Sequence, residues 1–195
     1  MDVQMMSTRG SRGLRLGAAG SALAAMLVAG SGLAAGGVTD AAPDVAVKAA
    51  LLYNFAKFAE WPGLPAGAPI AFCIIGDDAI AAALVETVRG QNINGHAIDV
   101  SRAQGSPWWG DCDVLFVASA ETQRSAGGLA AIKMLPVLTV SDGKGFSQAG
   151  GIIELFVEGA RMRFAINVDA AEGSGLRLSS RLLGLAKIVR NGQVR

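Results

Sequence analysis

The chain has 195 residues, 51% of them hydrophobic and 17% charged; a chain so apolar is not disordered, and its length suits one domain plus a targeting segment. Seventeen Lys and Arg stand against sixteen Asp and Glu, so no basic field exists to recruit nucleic acid or an anionic membrane surface. Two cysteines and one histidine are too few ligands, too far apart, for a Cys/His zinc site, and neither a metal nor another cofactor is expected.

Residues 1–15 carry Arg9, Arg12 and Arg15 with Asp2 as the only acid, and from Leu16 to Ala35 no charge appears. A basic start, an apolar middle and small residues at its end read as a secretory signal peptide. Small residues at −3 and −1 occur at Gly32/Ala34 and at Thr39/Ala41, which places cleavage between about 34 and 42. A transmembrane anchor is the alternative, since 20 uncharged residues just span a bilayer; Ala and Gly dominate the stretch and argue against it. No Cys for lipidation and no adjacent Arg pair lie nearby. The expected division is residues 1–41 as signal peptide and short leader and residues 42–195 as a formally neutral, exported domain.

Pro43 and Asp44 open a helix, Pro tolerated in the first turn and Asp facing the positive end. Val47, Leu51, Leu52, Phe55 and Phe58 continue it at helical spacing up to Trp61-Pro62. Ile70 to Ile75 is a short apolar run fit for a strand buried on both faces, stopped by Gly76-Asp77-Asp78. Ile80, Ala83, Leu84 and Val88 give a second helix, Ala97 to Val100 a strand, and Val114 to Val117 a second apolar strand. Thr122 to Leu135 has helical spacing weakened by Gly127-Gly128, and Val137 to Val140 is a third buried strand. This alternation predicts one Rossmann-like α/β domain with a mostly parallel sheet flanked by helices. Ile152 to Val157 and Met162 to Val168 then read as a C-terminal antiparallel hairpin at the sheet edge, and Leu182 to Val189 as a last helix.

No GxGxxG follows a strand and no GxxxxGK[ST] occurs, so nucleotide loops are excluded. His96, the only histidine, follows Asn94-Gly95 in a turn and reads as a solvated side chain rather than a triad member. Glu154 and Glu158 are polar neighbours on one strand face, with nothing to mark one as acid and one as base. No catalytic constellation is present, and an enzyme is not expected. Cys73 lies within one strand and Cys112 just before another; in an exported protein the pair favours a disulfide. Asp77, Asp78, Ser119, Ser141 and Asp142 end strands, where parallel sheets bind ligands. Arg177-Leu178-Ser179-Ser180-Arg181 opens the last helix, so Arg177, Ser179, Ser180 and Arg181 form a candidate anion site, with capping serines and solvated arginines as the plainer alternative. Trp108, Trp109 and Phe146 are candidate partner contacts; the alternative is that both tryptophans cover the edge of the core near Cys112.

The segments KAALLYNFAKFAEWP (48–62), FCIIGDD (72–78), CDVLFVASAE (112–121), VLTVSDGKGF (137–146), RMRFAIN (161–167) and GLRLSSRLLGLAKIVR (175–190) resemble the YfiR family, in order and over nearly the whole exported part. The resemblance implies a periplasmic regulator that represses an inner-membrane diguanylate cyclase by binding its sensor region, and so controls cyclic-di-GMP and biofilm formation. It also implies relief by a redox change or by an outer-membrane lipoprotein, and, for other members, service to a histidine kinase or another membrane receptor. Cys73 and Cys112 match the pair that these proteins bridge. Some members hold a second disulfide near 147–154, where this chain has Ser147 and Glu154. Arg177 and Ser179 match a proposed small-ligand pocket, without the histidine some relatives carry at the latter position. A homodimer and a small-molecule sensor acting with a membrane receptor are the further associations kept open.

Overall fold

A computed structural model describes residues 41–103, 109–190 and 192–194; the expected signal peptide, up to residue 40, and Trp108 lie outside them. The first helix, α1, spans Ala41–Lys57, with Asp44 in its first turn and Lys57 in its last, both matched to the helix dipole. Ala49, Leu52, Phe55 and Ala56 recur on one stripe and are buried, which seats α1 on the sheet. Two residues later β1 (Ala59–Glu60) pairs antiparallel with β8 (Arg177–Leu178), a separate two-stranded clip.

The main sheet has eight strands. β2 (Ile70–Ile75), β3 (Ile98–Arg102), β4 (Val114–Val117), β5 (Leu138–Ser141), β6 (Ile153–Glu158), β7 (Arg161–Asn167), β9 (Lys187–Arg190) and β10 (Gln193–Val194) lie in the order β10-β9-β7-β6-β5-β4-β2-β3. From β3 to β6 all neighbours are parallel; β6–β7 and β9–β10 are antiparallel, and β7–β9 is parallel. Helix α2 (Asp78–Val88) crosses from β2 to β3, its N-terminus capped by Asp77, whose carboxylate accepts from the Ile80 amide at 2.9 Å.

Period-two alternation splits the strands between two cores. Ile70, Phe72 and Ile74 of β2 and Val114 and Phe116 of β4 join the α1–α2 side, with Leu138, Val140, Ile153, Leu155 and Ile166. Cys73, Ile75, Leu115 and Val117 face the other side, with Ile132 and Val137. On that second face the strands β5 to β7 carry Thr139, Ser141, Glu154 and Asn167, all buried. Buried polar side chains require partners, and the loop 142–151 supplies them.

Three expectations differ from the structure. The run 122–135 forms only α3 (Ala126–Ala131), with Gly127 and Gly128 inside it, after a 3₁₀ turn at Ser119–Glu121. Gly128 has a packing role: a Cβ there would stand 2.3 Å from the Trp109 ring. The last helix, α5, is one turn, Ser180–Leu183. Gly184 stops it, and Ile188 and Val189, read as helical, enter the sheet in β9, where Val189 is fully buried. Finally, the β6–β7 hairpin is interior rather than at the edge, since β9 pairs with β7 and β10 with β9. Its two-residue turn, Gly159-Ala160, has φ of 55° and 59°, the doubly left-handed geometry of a type I′ connection. Helix α4 (Val168–Gly173) links β7 to the clip, capped by Asn167.

Candidate functional site

The cysteine pair is bridged: Cys73 and Cys112 form a disulfide with their Cα atoms 5.9 Å apart. It lies on the α3 side of the sheet, 6% exposed at either residue, among Leu115, Val117 and Trp109. A bridge between a central strand and the chain just before its neighbour β4 staples the parallel layer where its pairing has the largest sequence separation.

The strand-end residues are engaged in holding the fold. Asp77 caps α2, and Asp78 pairs with Arg102 at 3.2 Å. Asp142 accepts from the Ser119 amide at 2.7 Å and from Lys48 at 2.8 Å, and Lys48 reaches Asp44 at 2.8 Å as well. Burial disfavours the Lys48 ammonium, but its hydrogen bonds to Asp142 and Asp44 outweigh this and raise its pKa above the usual 10.5. The order β3-β2-β4 makes the gap between β2 and β4 the switch point at which open α/β sheets bind ligands. Here the chain's own 3₁₀ turn closes against it: a Cβ on Gly76 would meet Glu121 Cγ at 2.4 Å.

A denser polar cluster lies under the loop 142–151. Glu154, 6% exposed, accepts from the Gly145 amide at 2.9 Å, the Ser147 amide at 3.0 Å and the Ser147 hydroxyl at 2.7 Å. Asn167 donates to the Ser147 carbonyl at 2.7 Å while its oxygen caps α4. Phe146 closes the loop over the sheet, with its ring 2.1 Å from where a Cβ on Gly151 would stand; only glycine fits there. Glu158 does not work with Glu154. It lies at the far end of β6 and pairs with Lys187 at 2.6 Å, which holds its pKa below the usual carboxylate value.

Residues 45–187 match the family model described as YfiR/HmsC-like. The chain belongs to the YfiR/HmsC-like family. A search of curated proteins returned no significant match. Ser147 and Glu154 are joined by the 2.7 Å hydrogen bond, which ties the loop to β6.

The remaining expected site residues divide. Ser179 caps α5, accepting from the Leu182 amide at 3.2 Å, and its own amide donates to the Phe58 carbonyl at 2.9 Å. Arg177 is exposed on β8 opposite Glu60, and Ser180 and Arg181 are exposed on α5. The four are thus split between β8, the cap and a single helical turn, whose dipole is far smaller than that of the long helix expected there. Trp109 is half-buried against the disulfide side, with its indole nitrogen enclosed and unpaired among the described residues. Phe146 is 7% exposed, and its ring packs over Gly151 to anchor the loop. His96 is not simply solvated either: it is half-buried, and its Nδ1 lies 2.7 Å from the Ala68 carbonyl. Lys48 and Glu154 are structural centres that hydrophobic periodicity alone does not mark. For Glu154 the signal was a charge at a core-facing position of IIELFV, which only a set of donors accommodates.

Proposed function

We propose that the protein is a periplasmic regulator that binds the exported region of an inner-membrane signalling protein, most specifically a diguanylate cyclase, and holds it inactive. The observation that carries this reading is the YfiR/HmsC-like match over residues 45–187. The Cys73–Cys112 bond supports it, since such a bond persists in an oxidising compartment. The proposed action is binding, not catalysis. A regulator shifts its target only by the difference between its affinities for the active and inactive states. A formally neutral exported domain obtains that difference from apolar contact with a polar rim, not from long-range charge. Trp108 and the accessible part of Trp109 are the contact residues proposed; an outer-membrane lipoprotein competing for the regulator would relieve repression.

The test is co-purification from solubilised inner membrane after cross-linking in the intact cell, using the disulfide-bonded protein. The expected result is one dominant membrane protein carrying a cyclase domain, with its yield reduced by Trp108→Ala in a variant of unchanged melting temperature. A dominant partner carrying a kinase domain instead would overturn the cyclase assignment. Absence of any membrane-protein adduct would overturn the reading as a whole.

A further inference from the structure

The space between α3 and the loop 142–151 is a cavity of about 340 Å³, within the range of small-ligand sites. Leu129, Val137, Phe146 and Ile152 give it an apolar wall, and Thr122, Gln123 and Ser174 are on its lining as well. Thr139, Lys133 and Lys144 are on the lining with them, and both lysines are exposed. Thr139, 8% exposed, accepts from the Ile152 amide at 3.0 Å, and its hydroxyl hydrogen has no acceptor among the described residues. Lys133 and Lys144 line the cavity too, and neither makes an ion pair with a described residue. The Lys133 ammonium leans over the loop, 3.8 Å from where a Cβ on Gly150 would stand. No acidic side chain and no arginine is among the lining residues.

We propose that this cavity binds a small organic carboxylate: an aliphatic or aromatic body against the apolar wall, its charge between Lys133 and Lys144, and one oxygen accepting from Thr139. The chemistry favours a carboxylate over a phosphate ester. Two point-charge lysines and one hydroxyl suit a single negative charge, whereas a dianion calls for the forked donors of arginine. The loop that roofs the cavity is held by Glu154 and Asn167, so the site is shaped without its ligand. None of residues 177–181 is on its lining, and it does not depend on the membrane partner proposed above.

Benzoate and hexanoate serve as probes, with benzamide as the uncharged control, each titrated by calorimetry and by amide NMR against the disulfide-bonded protein. The expected result is saturable binding of at least one carboxylate, with shifts concentrated at Thr139, Gly145 and Gly151. Lys133→Gln and Lys144→Gln should each weaken it about three-fold and together about ten-fold, as removal of solvent-facing charge pairs does. Benzamide should bind more weakly to the native protein and be unchanged by either substitution. No saturable carboxylate binding up to about 10 mM, where even the ~4 kcal/mol of a millimolar ligand would register, overturns the proposal. So does binding that the double variant leaves intact, or shifts confined to Arg177–Arg181.

Discussion

Ala160 has a φ of 59° and is one of only two non-glycine residues with positive φ among those described. Left-handed backbone costs an L-residue about 1–2 kcal/mol, and Ala160 bears it because the two-residue turn demands it. Ala160→Gly is therefore expected to stabilise the protein by about 0.5–1 kcal/mol, net of the extra freedom glycine gives the unfolded chain; denaturant titration checks this. Glu154 is the opposite case. Glu154→Ala leaves the Gly145 and Ser147 donors buried without acceptors, and the expected loss is about 2–4 kcal/mol, at about 1–3 per abandoned donor with partial relaxation. Lys48 adds a pH signature. Its raised pKa means that the folded state holds its proton more tightly than the unfolded state does. Its contribution is thus complete below the usual lysine value and is lost as pH rises through the folded one. The stability difference between the native protein and Lys48→Met should be flat from neutral pH to about pH 10 and shrink above it.

At the scale of elements, the three central parallel strands were legible because each is a short apolar run bounded by turn residues: IAFCII, VLFV and VLTV. The C-terminal region was not, and the reason lies in LLGLAKIVR. Its leucines at helical spacing serve one turn, and then Ile188 and Val189 alternate into the sheet beside β7. Local periodicity cannot register a parallel neighbour 22 residues upstream, as in the pairing of Asn167 with Val189, and tertiary pairing overrides propensity there. The candidate site was half legible for a similar reason. Cys73 and Cys112 are recognisable from compartment and strand context, whereas the cavity arises where α3, β5 and the loop 142–151 meet. The disulfide between β2 and the approach to β4 closes a sequence separation of 39 residues. Cys73→Ala with Cys112→Ala should cost up to about 4 kcal/mol by the chain-entropy relation, measured as a lowered unfolding midpoint, while the protein keeps its far-ultraviolet spectrum.

For the whole molecule, two faces of one sheet divide the work. The α1–α2 face holds the larger hydrophobic core, and the other face carries the disulfide, the polar cluster and the cavity. No helix among the described residues is long and apolar enough to cross a membrane. The most direct measurement is cellular cyclic-di-GMP in a strain lacking the protein, complemented either by the full chain or by a chain without residues 1–41. Loss of the protein should raise cyclic-di-GMP; the full chain should restore the lower level, and the chain kept from export should not. An unchanged level on deletion, or equal restoration by both forms, would contradict the account.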